Sequence, residues 1–475
     1  CQSGCPAGVD IPGFVSLVGE KRYAEALQLH RNRNPFAAIC ARVCFHTCED
    51  KCRRASLDSS VSIRGVKRFM VDQEVVIQKP ECRENPENAA RKVAIVGAGP
   101  AGLSCAYFLA RLGYRPVVLE SEPRPGGMLV QAIPAYRLPR ELMAREIRMI
   151  ESLGVEIRTN QRLGKDFTMQ SLHDEYEAVF LAVGAPQGIQ IDMPGCHAHG
   201  VAEAMTFLRE YNIRGSVPVG KNVVVIGGGN AAIDAGRTAL RLGAETVTIL
   251  YRRTREEMPA YAEEIEAALE EGLTIRTLAS PEAILQEHGK VTGVQCRTMK
   301  LGNFDRSGRR RPEEDPSDSF VVVADQVIMA VGQTLEPQAL LEPFEIQRND
   351  SGWIKADPVT GQTSLDWLFS GGDCVDGPSS VVAAIGAGER AAVGIDALLS
   401  GEEHAFWRTY TEVTTDYDPD ADPVPYPREP IRMLPVERRR TNFDEVELPW
   451  NESTAVRQSR RCLRCDFGKN LEQVR

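Results

Sequence analysis

The sequence predicts an α/β chain in which two Rossmann-like dinucleotide-binding domains follow a helical, cysteine-rich domain. Two observations carry this. Residues 92–120 run as a buried strand, a glycine turn, a helix and a second strand, and residues 222–251 repeat that order. Cys1, Cys5, Cys40, Cys44, Cys48 and Cys52 crowd the opening segment. Cys462 and Cys465 stand at the far end, so eight of the 13 cysteines lie in the terminal segments.

Elements follow in order. Residues 1–88 are polar, with helical patterns around Ile11–His30 and Ser62–Val76. Residues 89–187 form the first half of one dinucleotide domain, with strands at Lys92–Val96 and Arg115–Glu120. Residues 188–325 form the second dinucleotide domain, including an antiparallel hairpin region whose charged stretch Arg306–Asp318 reads as a loop. Residues 326–400 close the first domain. Residues 401–475, rich in Pro, Arg and Asp, form an extended tail ending in a short helix that carries Cys462 and Cys465.

A hydrophobic content of 43% and a charged content of 26% are ordinary for a globular chain. No run approaches the roughly 20 apolar residues of a membrane helix, so no membrane insertion is expected. The net charge of −10 argues against nucleic acid as a partner, with Arg252-Arg253 and Arg309-Arg310-Arg311 as local exceptions. Thiols crowded at short spacing suit metal or cluster ligation in a reducing compartment. With no basic-then-apolar leader visible, the cytoplasm is the expected location. The first residue is Cys1 rather than Met, which leaves room for residues upstream.

The first glycine turn is Gly97-Ala-Gly99-Pro100-Ala101-Gly102. Gly97 permits the tight turn, Gly99 lets backbone approach a pyrophosphate, and Gly102 lets helix and strand close up. The pyrophosphate then meets a helix N-terminus, and Glu120, ending the next strand, is placed for a ribose diol. Pro125-Gly-Gly127-Met128, Val179-Phe-Leu-Ala-Val-Gly184, Leu368-Phe-Ser-Gly-Gly372-Asp373 and the helix opening at Ser379-Ser380-Val381 complete a set resembling the two-dinucleotide-domain flavin reductases. That resemblance implies FAD, with Asp373 on the ribityl chain and the helix N-terminus directed at the flavin N1–C2 edge.

The second turn is Gly227-Gly-Gly229-Asn230-Ala231-Ala232-Ile-Asp234. Its following strand ends in Tyr251-Arg252-Arg253 where the first unit has Glu120. An acid there would repel a 2′-phosphate, whereas arginines pair with one, so NADP(H) is expected over NAD(H).

The spacing of Cys40, Cys44, Cys48 and Cys52 suits zinc or iron–sulfur alike. Beside a flavin, a redox relay favours clusters, and eight crowded cysteines match two clusters of four ligands. Cys1-Gln-Ser-Gly-Cys5-Pro, Asn34-Pro35, Cys40-Ala-Arg-Val-Cys44 and Cys48-Glu-Asp-Lys-Cys52-Arg resemble the glutamate synthase small-subunit family. So do Ile133-Pro134-x2-Arg137-Leu-Pro139, which adds Arg137 to the cofactor-binding set, and Tyr251-Arg-Arg-x4-Met258-Pro259-Ala260. The family includes the flavin half of dihydropyrimidine dehydrogenase and the large subunit of the bifurcating ferredoxin–NADP transhydrogenase.

This resemblance implies NADPH handing a hydride to FAD, and two [4Fe–4S] clusters exchanging electrons with a partner, either a catalytic subunit or a ferredoxin-like protein. By family position Cys1 and Cys52 share one cluster, and Cys5, Cys44 and Cys48 the other. Two departures follow. The CxxC that family members carry before the position of Cys1 is absent. Cys462 and Cys465 would replace it if the tail folds back, or would otherwise bind something in a partner. The inner cluster's fourth ligand, often Glu or Gln near position 67, is Lys67 here, which makes Cys40 the candidate. No acid–base residue is expected. Three alternatives stay open: a thioredoxin-reductase-like disulfide enzyme, a free-standing NAD(P)H dehydrogenase with a soluble acceptor, and a docking or relay subunit without nucleotide turnover.

Overall fold

A computed structural model describes residues 1–304, 308–335, 341–409 and 412–467, the side chains of 316 and 317 excepted. Among them no helix is long and apolar enough to cross a membrane. Two five-stranded parallel sheets organise the chain. The first runs Leu368–Ser370, Ala178–Leu181, Val93–Val96, Val117–Leu119, Glu156–Arg158. Its central strands are buried on both faces, which explains their unbroken apolar runs. The second runs Val201–Glu203, Gln326–Met329, Asn222–Ile226, Thr246–Tyr251, Thr274–Thr277. In both, the strand before the glycine turn sits centrally, with the next two strands in sequence stacked to one side.

Gln326–Met329 corrects the boundary drawn at residue 325. This strand pairs in parallel with both Asn222–Ile226 and Val201–Glu203, so it belongs to the second sheet. An apolar strand run does not reveal which of two like sheets will take it. The return to the first sheet comes only with Leu368–Ser370. The two crossings between the sheets pair with each other, Gln187–Gly188 against Gln333–Thr334.

Arg310–Val323 forms a strand paired with Lys290–Phe304, which in turn pairs with Ala279–Glu287. Much of the stretch read as a charged loop is therefore sheet; residues 306 and 307 lie outside the described residues. Its charges serve the pairing, because Lys300 meets Asp315 at 2.7 Å across the ladder.

The N-terminal domain is built of short helices. Asp10 caps Ile11–Gly19 by accepting from Gly13 N at 3.0 Å, with Pro12 in the first turn. That helix ends near Gly19, and Lys21 at φ 63° turns the chain into Tyr23–Arg31. Ile63–Asp72 lies beneath. All three share one apolar core with the first dinucleotide domain.

The tail folds back across this domain. Trp450 packs on Gly65, where an added Cβ would lie 2.5 Å from the indole. Lys21 Nζ and Tyr23 Oη both donate to Glu452, at 2.9 and 2.8 Å. Arg461, fully buried, donates to Ser59 O and Ser60 O at 2.7 and 3.0 Å. The final helix, Glu452–Ser459, is capped by Asn451 and stops before Cys462, so both tail cysteines lie in the turn after it, not on it.

Candidate functional site

Both glycine turns open into one cavity of about 1220 Å³ between the two sheets. At the first turn Gly97 has φ 103°, and a Cβ there would meet Ala182 O at 2.5 Å. Gly227 repeats this with φ 140° and Ala330 O at 2.1 Å, so neither position tolerates a side chain. By contrast, nothing lies within 4 Å of a Cβ built on Gly99 or Gly229. Those two present bare backbone to open space at the start of helices Pro100–Arg111 and Asn230–Arg241, as pyrophosphate binding requires.

Of the residues expected to hold the flavin, Gly97, Gly99, Pro100, Ala101, Glu120, Gly127, Met128, Arg137, Gly184, Asp373, Ser379, Ser380 and Val381 line the cavity. Gly102 and Gly372 are not on its wall. Gly102 lets its helix close on the strand, since a Cβ there would fall 2.0 Å from Gly97 O. Gly372, with φ 77°, starts the turn into Asp373–Asp376.

Glu120 is 5% exposed and accepts from Ala98 N at 2.7 Å and Glu122 N at 2.8 Å. Burial raises its pKa and these bonds oppose the rise. Asp373 accepts from Ser379 N at 3.1 Å and Ser379 Oγ at 3.2 Å, both on Oδ1. Helix Val381–Ser400, capped by Ser380, points its N-terminus into the cavity.

On the nucleotide side Gly227, Gly229, Asn230, Ala231, Asp234, Arg252 and Arg253 line the same cavity. The two arginines differ. Arg252 is exposed on the wall, whereas Arg253 is buried and donates from Nε to Arg310 O at 2.8 Å. Arg309, from the hairpin, also lines the cavity; the sequence marked it only as part of a basic cluster, not as a site residue. Arg137 and Asp234 meet each other: Nη1 donates to both carboxylate oxygens at 3.0 and 2.8 Å. Their pairing spans the two dinucleotide domains.

Seven of the eight terminal cysteines gather in two places. Around Lys67 stand the thiols of Cys44, Cys40, Cys48 and Cys5, its helix packing against Ala37–Val43, which carries Cys40 and leads into Cys44. Around Cys462 stand Cys465 and Cys52, and the Cys1 amino group donates to the neighbouring Lys51 O at 3.1 Å. All are free thiols. Burial pushes Cys48 up to about 12, so it needs a cation beside it to become a thiolate. Among the described residues no three Cys, His, Asp or Glu side chains converge as ligands of a single ion would. A [4Fe–4S] cluster is held by cysteine thiolates, and the chemistry of this donor set, free thiols without a histidine among them, suits one.

The N-terminal domain reaches the cavity next to the first thiol group. Val43 and Phe45, flanking Cys44, line the cavity wall. Phe45 stacks on Tyr261 with ring centroids 4.4 Å apart and planes at 19°. Tyr261 N in turn donates to Asn230 Oδ1 at 3.1 Å. Neither ring belonged to a glycine or cysteine pattern; their places beside Cys44 and Ala260 were the only signal. Among the described residues no cysteine lines the cavity, which counts against a redox disulfide facing the flavin.

Two dinucleotide turns sharing one cavity, joined to a thiol-rich helical domain, define an NAD(P)H-dependent flavin oxidoreductase with an iron–sulfur module. The comparisons place it more narrowly. Residues 91–388 match the pyridine nucleotide-disulphide oxidoreductase family, and residues 1–79 match dihydropyrimidine dehydrogenase domain II, 4Fe-4S cluster. The chain is 40% identical to the NADP(+)-dependent formate dehydrogenase subunit beta of Moorella thermoacetica, over 98% of this chain and 70% of that one. It is 35% identical to the glutamate synthase [NADPH] small chain of Escherichia coli, over 83% and 87%. Mycobacterium tuberculosis FprA in complex with NADPH shares the fold of 66% of this chain and 85% of that one, with TM-score 0.56 and 20% identity. The chain belongs to the pyridine nucleotide-disulphide oxidoreductase family, in the group that contains the glutamate synthase small chains.

Proposed function

We propose that this chain is the NADPH-dependent electron-transfer subunit of a multisubunit cytoplasmic enzyme. In this reading electrons pass between NADP(H), FAD and two [4Fe–4S] clusters to or from a partner, a catalytic subunit or a ferredoxin-like protein. One observation carries it. Cys44 sits between two residues that line the nucleotide cavity, so the inner thiol group adjoins the site where a flavin would lie. When bound, FAD supplies hydride exchange with the nicotinamide and single-electron exchange with the clusters.

The chain's own residues divide the work. Gly97, Gly99 and the first turn of Pro100–Arg111 bind the FAD pyrophosphate, Glu120 the ribose and Asp373 the ribityl chain. Ser379, Ser380 and the N-terminus of Val381–Ser400 stabilise negative charge at the flavin edge. Gly227, Gly229 and Asn230 bind the NADP(H) pyrophosphate, and Arg252 pairs with the 2′-phosphate. Cys5, Cys40, Cys44 and Cys48 hold the inner cluster; Cys1, Cys52, Cys462 and Cys465 hold the outer one. The outer four are partly exposed, which suits handover to a partner. Two relatives of this chain are a formate dehydrogenase subunit beta and a glutamate synthase small chain, which supports a larger assembly. The proposed domains are those read from the sequence, with the second extended through Met329.

Metal analysis and nucleotide titration test this reading. The expected result is about eight irons and one FAD per chain, with the flavin bleached by NADPH at concentrations where NADH has little effect. Zinc in place of iron would overturn it.

A further inference from the structure

Lys67 is a buried cation with thiols around it and no acid beside it. Its neighbours on helix Ile63–Asp72 are paired in the usual way. Arg64 holds Glu447 at 2.7 and 2.8 Å, and Arg68 holds Asp72 at 2.6 Å. Lys67 is 7% exposed, and among the described residues no carboxylate comes within ion-pair distance of it. Its helix packs against Ala37–Val43, which carries Cys40 and ends at Cys44, and the groups that act on it most strongly are the thiols of Cys44, Cys40, Cys48 and Cys5.

The other charges nearby are accounted for. Glu49, beside Cys48, accepts from Arg64 N at 2.9 Å and lies 2.7 Å from Arg428 Nη2. His46, next to Cys44, lies 3.6 Å from Glu263. His30 is buried with Nδ1 unpartnered, and burial together with Lys67 and Arg31 keeps it neutral. Lys67 therefore has no acid partner of its own among the described residues. Burying an unpaired ammonium costs several kcal/mol, and a cluster held by four thiolates is an anion that would balance it.

We propose that Lys67 is the counter-cation of the inner cluster and raises its reduction potential. The inference rests on the ligand set of Cys5, Cys40, Cys44 and Cys48 proposed above. When one electron enters the cluster from the flavin reduced by NADPH, no bond forms or breaks and Lys67 keeps its proton. The added negative charge is stabilised by the fixed ammonium, and local charge is a recognised determinant of cluster potential. Lys67 is thus a tuning residue, not a ligand.

The test is an anaerobic dithionite titration of the whole chain with its flavin and clusters, followed by EPR, in Lys67→Met, Lys67→Gln and Lys67→Arg, with iron counted in each. In the two neutral variants iron is expected to stay at the unaltered value while one midpoint potential falls. The fall should be at least tenfold in the oxidised-to-reduced ratio at fixed potential, 59 mV for one electron. Lys67→Arg should recover most of it, and the other cluster should not move. Loss of one cluster's iron from both neutral variants but not from Lys67→Arg would also support the charge role. Unchanged potentials at full iron, an equal fall in Lys67→Arg, or iron loss from all three would overturn it. Failure of the ligand reading would show elsewhere, as about four irons in the unaltered chain.

Discussion

At the scale of single residues, two adjacent arginines carry different duties. Arg252 stands exposed on the cavity wall, while Arg253 is buried with its Nε–H given to Arg310 O. A charged hydrogen bond to the 2′-phosphate is worth about 1.5–3 kcal/mol. Arg252→Ala should therefore raise the KM for NADPH by roughly 10- to 100-fold and leave that for NADH almost unchanged. Arg253→Ala should instead loosen the hairpin, lowering the thermal midpoint with a smaller effect on the NADPH/NADH ratio. Steady-state kinetics with both nucleotides, beside a melting curve, separates the two. At the outer cluster Cys465→Ser should cost about half the iron and leave NADPH-driven flavin bleaching intact.

At the scale of elements, helix Ala37–Val43 depends on a residue far from it in sequence. Its N-cap, Phe36, offers no side-chain acceptor, and Glu146 supplies one, accepting from Ala38 N at 2.7 Å and Ile39 N at 3.1 Å. Burial lifts the Glu146 pKa from 4.5 to about 7. The folded state thus favours the protonated form. Its contribution to stability is fully present below pH 4.5 and declines as pH rises to about 7. The loss amounts to about 3 kcal/mol at most, at 1.36 kcal/mol per pKa unit. Glu146→Gln should remove that decline, so the variant's melting temperature should gain on the unaltered protein's between pH 4.5 and 7; a constant difference would refute the assignment.

The two glycine turns, their strands and the cysteine spacings were legible in the sequence because each is a local pattern. The strand Gln326–Met329 was legible as a strand but not as a member of the second sheet, since that choice is made by partners about a hundred residues away. The stretch Arg310–Asp318 misled because its charges, which suggest a loop, pair across a ladder. Nor does any local pattern reveal that Arg137 and Asp234, both read as cofactor-binding, bind each other.

At the scale of the whole molecule, that pair belongs to a buried network joining the two dinucleotide domains and the tail. Arg137 also approaches Glu264, which pairs with Arg237. Arg237 and Arg241 both hold Glu271, all three side chains being fully buried. Both arginines lie on Tyr136 of the first domain, at 4.8 and 3.9 Å from its ring. The tail joins through Arg439, paired with Glu270, and through Asn442 O, which accepts from Arg241 Nε at 3.1 Å. This network fixes one dinucleotide domain against the other. Asp234→Asn leaves Arg137 with Glu264 as its one remaining acid partner in this network, a loss of about 1–3 kcal/mol. It should lower the thermal midpoint and slow flavin reduction by NADPH together; a drop in stability with unchanged reduction would deny the network any role in positioning.

The central claim is that electrons pass between the nucleotide cavity and the outer cluster through the inner one beside Cys44. The direct test is rapid anaerobic mixing with NADPH, read by absorbance and freeze-quench EPR, in the unaltered chain and in Cys48→Ser. The unaltered chain should bleach its flavin and then show reduced-cluster signals. Cys48→Ser should bleach its flavin at the same rate while the outer cluster stays oxidised. Full and rapid reduction of the outer cluster without the inner one would contradict the account.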